Sequence, residues 1–236
     1  MCKHIVTFAT LCAGLVLAAC TGKMARTGPE RHESVYFNPD KSQTLRAVFK
    51  MPVGELNVDG ATEKLADANF TYNVAEWKPD VRYSSGGAFG DLTVEQHGPT
   101  SSGGNTKNRW DLRFNEHIPL DLRFEFGAGE ARLNLGNYDL HSLEIDMGVG
   151  TLRLDLRGKP PESYSVRIRG GVGEATVYLP HDVGISASAS GGIGDISVSG
   201  LRKSGDQYVN DLYDSAPVRI HLDVQGGIGT IKLIAD

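Results

Sequence analysis

The stretches FGAGEARLNL (126–135), MGVGTLRLDL (147–156), GGVGEATVYL (170–179) and GGIGDISVSG (191–200) are four versions of one phrase. Each reads glycine, a small or aliphatic residue, glycine, then alternating apolar and polar residues. Gly129, Gly150, Gly173 and Gly194 stand 21, 23 and 21 residues apart, a period typical of stacked arrays. A weaker copy, GGIGTIKLI (226–234), comes last, and looser ones, MPVGELNV (51–58) and AFGDLTV (88–94), come early.

The alternation predicts strands. In residues 141–156, Leu143, Ile145 and Met147 share one face, with Glu144 and Asp146 on the other. After the Gly-Val-Gly turn, Leu152, Leu154 and Leu156 point one way, with Arg153 and Asp155 opposite. Period-2 alternation means strands with one dry face and one wet face. The glycines supply positive φ or a close approach between neighbouring turns. One coil buries roughly four to six aliphatic side chains, each worth about 1.5–3 kcal/mol. A lone coil cannot cover that face, so coils must stack. The expected fold is all-β: a flattened, elongated, β-solenoid-like stack of short strands with Gly-x-Gly turns.

Residues 1–19 read as a secretory signal: Lys3 is the positive start, an apolar run extends from Ile5 to Leu17, and small residues follow. Leu17-Ala18-Ala19-Cys20 resembles the bacterial lipoprotein box. That resemblance implies cleavage before Cys20, diacylglycerol on its sulfur and an acyl chain such as palmitate on its amine. The apolar run is too short to span a bilayer, which takes about 20 residues. Cys2 and Cys12 leave with the signal, so neither an intrachain disulfide nor a cysteine metal site is available. The 217 residues that remain suffice for one elongated domain burying about 70% of its unfolded surface.

The formal charge of −5 becomes −6 once Lys3 is removed. Such a balance argues against nucleic acid and anionic lipid as bulk-charge partners. The expected membrane contact is therefore through lipid on Cys20, where two or three chains anchor stably and one would not. Thr21 is not the aspartate that retains lipoproteins at the inner membrane. An exported, outer-membrane location is expected if the bacterium has two membranes.

The chain divides into the 1–19 signal, a polar tether over 20–43, an N-terminal β lobe over 44–96, a Gly/Ser/Asn-rich mobile loop over 97–108 and regular coils over 109–236. ATEKLADA (61–68) is read as a short helical turn, RKSGDQ (202–207) as a hairpin tip and 218–224 as a late strand. Asn69-Phe70-Thr71 is a chance match to a glycosylation sequon.

A resemblance covers most of the mature chain. MPVGELNVDG (51–60), ANFTYNVAEWKPDVRY (68–83), FGAGEARLNLGNYDLHSLEIDMGVGTLRLDL (126–156), GGVGEATVYLP (170–180), HDVGISASASGGIGDISVSGL (181–201) and QGGIGTIKL (225–233) resemble the toastrack domain of bacterial envelope proteins. This domain is also found with proteins of the cell-wall-antibiotic stress response. The resemblance implies a β-solenoid-like stack and transfers no catalytic residue. Some stress-response relatives carry transmembrane helices beside the domain, which this chain lacks.

Several phrases invite other readings. Gly171-Val172-Gly173 and Gly192-Ile193-Gly194 start like dinucleotide fingerprints, but a strand pattern follows where a helix would be needed. In GGIGDIS the acid stands one position too early for the calcium nonapeptide. The residues after each glycine phrase (Glu55, Asp91, Glu130, Thr151, Glu174, Asp195, Thr230) line up in one column if coils stack in register, with neighbours about 4.8 Å apart. Stacked like charges repel. Two readings follow: each side chain caps its own turn, or Glu130, Glu174 and Asp195 form a weak metal or basic-partner site. The histidines lack ligand spacing, and no serine or threonine sits in a nucleophile-elbow phrase.

No catalytic residue and no cofactor is expected. Glu144, Asp146 and Asp155 interleave with Arg153, Arg167 and Arg169 as a salt-bridged face. Tyr164, Tyr178, Tyr208 and Tyr213 are the candidate sugar-binding aromatics, with packing as their ordinary fate. The expected function is that of a lipid-anchored envelope protein with a structural, binding or stress-related role and an envelope protein or the cell wall as partner. The alternative is a carbohydrate-binding or carbohydrate-degrading protein on a β-helical scaffold.

Overall fold

The computed structural model describes residues 25–100 and 104–235; the 1–19 signal and Cys20 lie outside them. The strands are β1 (Thr27–Phe37), β2 (Thr44–Ala61), β3 (Ala66–Val74), β4 (Pro79–Gly86) and β5 (Phe89–Gln96). Then come β6 (Asn108–Phe114), β7 (Leu120–Asn134), β8 (Leu140–Asp155), β9 (Tyr164–Leu179) and β10 (Gly184–Ser190). The last are β11 (Ile193–Ser199), β12 (Arg202–Ser204), β13 (Gln207–Val209), β14 (Arg219–Gln225) and β15 (Ile228–Ala235). All are joined in one hydrogen-bonded sheet. Among the described residues there is no α-helix.

The long strands β2, β7, β8 and β9 each carry a glycine phrase at mid-length and have two arms. In β8, Leu143, Ile145 and Met147 are buried on the first arm, and Leu152 and Leu154 on the second. From Met147 to Leu152 is an odd number of steps, so the alternation inverts at the corner and Val149 is turned outward, 54% exposed. Gly150 makes that inversion with φ +143°, a conformation that side chains disfavour. A Cβ there would also lie 1.9 Å from the carbonyl oxygen of Gly129, and one on Gly173 would lie 1.8 Å from that of Gly150. The corner is thus a column of glycines, each making room for the carbonyl of the coil before it.

The bend folds the sheet onto its own apolar side. Phe49 stacks on Phe124 of the same arm at 5.3 Å and meets Phe114, from the opposite side of the core, edge-on at 5.8 Å. On the second arm Leu56, Ala131, Leu152, Ala175 and Ile231 form one buried row across successive strands. Parallel pairing holds the register, Gly54 to Gly129 to Gly150 to Gly173. The last coil in sequence, β14 with β15, then lies directly on β9, and β10 with β11 lies beyond it. The chain therefore builds its outermost coil before inserting the one beneath.

Residues 27–37, read from the sequence as tether, form β1 instead, antiparallel to β3. The reason is physical: β1 is an exposed edge held by backbone bonds, with only Val35 and Phe37 packed against the core, so no apolar alternation betrays it. Residues 61–68 are not a helical turn either; β2 runs through Ala61 and β3 starts at Ala66. β2, placed by the sequence in the N-terminal lobe, pairs along both arms with β7 and is the first coil of the regular stack. The hairpin at 202–207 is present as β12 and β13, and the late strand as β14.

Candidate functional site

The glycine column sets the faces of the molecule. Just past it the register brings Arg109, Glu55, Glu130, Thr151, Glu174, Thr230 and Asp195 into one outward row. Asp91 is not in it; β5 pairs with the first arm of β2, where Asp91 faces Arg46 at 3.9 Å. Thr151 separates Glu130 from Glu174, and Thr230 separates Glu174 from Asp195. The three acids named as a weak metal site thus stand two strand spacings apart, about 9.6 Å. Among the described residues no cluster of three metal-ligating side chains occurs.

The row's acids bond along and across the sheet. Glu130 accepts from Arg132, and Glu174 accepts from Thr176 at 3.3 Å and from Lys232 at 2.7 Å. The bond from Lys232 holds the Glu174 carboxyl below its ordinary pKa. Glu55 lies next to Arg109 in the register. The repulsion expected from a stacked acidic column is therefore broken by interposed threonines and neighbouring cations.

The outer face of the first arms is a lattice of opposite charges. One row runs Arg123, Glu144, Arg167, Asp223, and the next Lys50, Glu125, Asp146, Arg169. Arg123 donates to Glu125 at 2.9 Å, Glu144 at 2.5 Å and Asp146 at 2.9 Å. Arg167 reaches Glu144 at 2.9 Å and Arg169 reaches Asp146 at 3.2 Å. The acids Glu144 and Asp146 on β8 lie between the cations Arg123 on β7 and Arg167 and Arg169 on β9, so this face is salt-bridged and self-neutralised, as read from the sequence. Glu125, Glu144 and Asp146 are committed to guanidinium groups, and Asp223 accepts from Ser188 and Gln225, rather than converging on a cleft.

The tyrosines divide. Tyr164 is buried, and burial pushes its hydroxyl well above the ordinary tyrosine pKa. Tyr178 is half-buried with Arg153 and Arg157 over its ring, 4.4 Å and 4.8 Å from the centroid, and Arg153 also donates to its hydroxyl at 2.8 Å. Tyr208 packs partly against the core, and Tyr213 meets His221 edge-on. None offers a free ring face beside another.

One surface escaped the sequence reading. Val149, Val172, Ile228 and Ile193 lie in register at the corner and are 54%, 44%, 52% and 71% exposed. Simple alternation would bury Val149 with Ile145 and Met147. The odd spacing between the two apolar runs was the signal that it points out.

This architecture has relatives. Residues 26–178 match the family model for the N-terminal domain of toast_rack, DUF2154. The chain belongs to the toastrack family. Residues 128–233 of this toastrack protein also match the C-terminal region of LiaF, described as a cell wall-active antibiotics response domain. Protein LiaF of Bacillus subtilis (strain 168) is 33% identical over 87 residues, 36% of each chain. The toastrack chain thus spans about a third of that relative's length. A crystal structure of a candidate cell adhesion protein from Clostridium sporogenes ATCC 15579 shares 31% identity with a TM-score of 0.84, over 88% of this chain and 100% of that one.

Proposed function

We propose that this toastrack protein is a lipid-anchored component of the bacterial cell envelope that serves the response to cell-wall damage by binding, without chemistry of its own. The match of residues 128–233 to the antibiotic-response region of LiaF carries this reading. That segment takes in the bent strands β8 and β9 whole, so what is shared is the stacked scaffold itself. The lattice of paired charges on the first arms supports a role in display and contact. Anchoring rests on the box ending at Cys20. Among the described residues no helix is long and apolar enough to cross a membrane.

The carbohydrate reading finds less support, because the best-placed aromatic, Tyr178, already carries two arginines on its ring. The test is a strain lacking the chain, complemented by the wild type or by Cys20→Ala, and challenged with cell-wall-active antibiotics. The expected result is altered sensitivity on deletion, rescue by the wild type alone, and release of Cys20→Ala from the membrane fraction. Unchanged sensitivity on deletion would overturn the stress role, and full membrane retention of Cys20→Ala would overturn the anchor.

A further inference from the structure

The outer face of the second arms holds a groove of about 580 Å³ centred over β2, a volume in the range of small-ligand pockets. Its shape follows from side-chain length. The outward residues of β2 there are the short Asn57 and Asp59. Long arginines stand on both sides, Arg109 and Arg113 on β6, Arg132 on β7 and Arg153 on β8.

Seven charged side chains line the groove, and five of them are in ion pairs. Arg109 pairs with Asp111 at 2.9 Å, Arg113 with Asp67 at 3.4 Å, Arg132 with Glu130, and Asp155 with Arg157 at 2.7 Å. Arg153 and Asp59 are left over. Among the described residues neither has an opposite charge within 4.0 Å.

The sequence accounts for Arg153. Arg132 follows Glu130 by two residues, whereas Arg153 follows Thr151, the residue that interrupts the acidic column. The other lysines and arginines of β2, β7, β9 and β15 all have a carboxylate partner. Arg153 also has Arg132 as its neighbour in register, and like charges placed so cost stability. Tyr178 holds its guanidinium instead, with the ring centroid at 4.4 Å and the hydroxyl accepting one N–H at 2.8 Å. Among the described residues no other hydrogen bond claims its remaining donors. Asp59 accepts from the amide of Asn134 at 3.0 Å.

We propose that this groove binds a short peptide by its two ends, the carboxylate at Arg153 and Arg132 and the ammonium group at Asp59. The assignment rests on the binding role proposed above and names the chemistry of what is bound. A simple anion entering the groove meets Asp59, and a simple cation meets Arg132 and Arg153. A ligand with both ends satisfies both, and a guanidinium fork matches a carboxylate.

The span agrees. Asn134 bonds to Asp59 and is in register with Asp155, two residues past Arg153. The backbones of Asp59 and Arg153 are thus two strand spacings across and two residues along, about 12 Å apart. Their side chains shorten that gap to two or three extended residues, at about 3.3–3.6 Å each. Between the ends, the Asn57 amide donates to Asp111 at 3.1 Å and that of Asn134 to Asp59. Their side-chain carbonyl oxygens are left to accept peptide N–H groups.

The test is a ligand-detected NMR titration of the full chain in neutral detergent. The probes are tri-alanine, its N-acetylated form, its C-terminal amide, and acetate. Tri-alanine should bind saturably and each blocked form at least tenfold more weakly. Arg153→Met and Asp59→Asn should each weaken tri-alanine at least tenfold with an unchanged melting temperature, since both side chains are exposed. Acetylation should make no further difference to Asp59→Asn, and amidation none to Arg153→Met; a structural role alone would not give that pairing. Lys232→Met, outside the groove, should bind as the wild type does. The assignment is overturned by absent binding, by equal binding of the three peptides, by acetate binding as tightly as tri-alanine, or by variants that keep the discrimination. Lost binding beside an antibiotic-sensitive deletion strain strikes the groove alone. Intact binding beside an insensitive strain strikes the stress role alone.

Discussion

Replacing Gly150 by alanine tests the corner directly. Its φ of +143° lies where a non-glycine residue costs about 1–3 kcal/mol. The new methyl would also sit 1.9 Å from the Gly129 oxygen and 2.9 Å from its carbonyl carbon. Both are backbone atoms with hydrogen-bonded neighbours on each side, so no rotamer change relieves the contact. The coils must part by more than an ångström, which strains the parallel bonds between β7 and β8 and loosens the row through Leu152. Backbone strain and lost packing together place the cost at about 4 kcal/mol or more, in the range reserved for the severest single substitutions. Gly205→Ala is the control: its φ is +62° and nothing stands within 4 Å of its Cβ position. That change should cost about 1–2 kcal/mol. Urea unfolding followed by circular dichroism measures both. Equal midpoints for the two variants would refute the claim that the column needs glycine for room as well as for φ.

Three further outcomes follow from the surface and the core. Arg123→Met removes three ion pairs, but its partners are a third exposed and Arg123 itself 40%. Solvent screening limits the loss to about 1 kcal/mol, and comparing low with molar salt should show the difference shrink. The hydroxyl of Tyr83, 2.5 Å away, is the main cause that holds the Asp40 carboxyl down at about 2. A depressed carboxylate stabilises the fold above its unfolded pKa near 4 and loses that contribution as pH falls towards 2. Asp40→Asn should therefore flatten the acid limb of a melting-temperature profile below pH 4 relative to wild type. Trp77 and Trp110 are both buried, but the indole N–H of Trp77 donates to the Pro99 carbonyl at 2.9 Å whereas that of Trp110 has no partner among the described residues. Trp110→Phe should then destabilise less than Trp77→Phe, since it also removes an unsatisfied buried donor; the reverse order by chemical denaturation would contradict that reading.

Legibility from sequence followed where the energy resides. The strands of β7, β8 and β9 could be read because burial of Leu143, Ile145, Leu152 and Leu154 imposes alternation on the letters themselves. The charge lattice could be read too, since Arg123, Glu144 and Arg167 fall on the opposite parity. β1 could not, because main-chain bonds and polar contacts such as Ser34 to Asn69 and Tyr72 to Glu33 hold most of it, and these impose no apolar period on its letters. The order of the outer coils was hidden for a different reason. A Cβ on Gly194, on Gly229 or on Gly173 would lie the same 1.8 Å from a neighbouring carbonyl oxygen; every glycine phrase fits every other, and local chemistry cannot rank them. What distinguishes β11 is what is missing beside it, a two-strand deficit visible only once the register of both sheets is known.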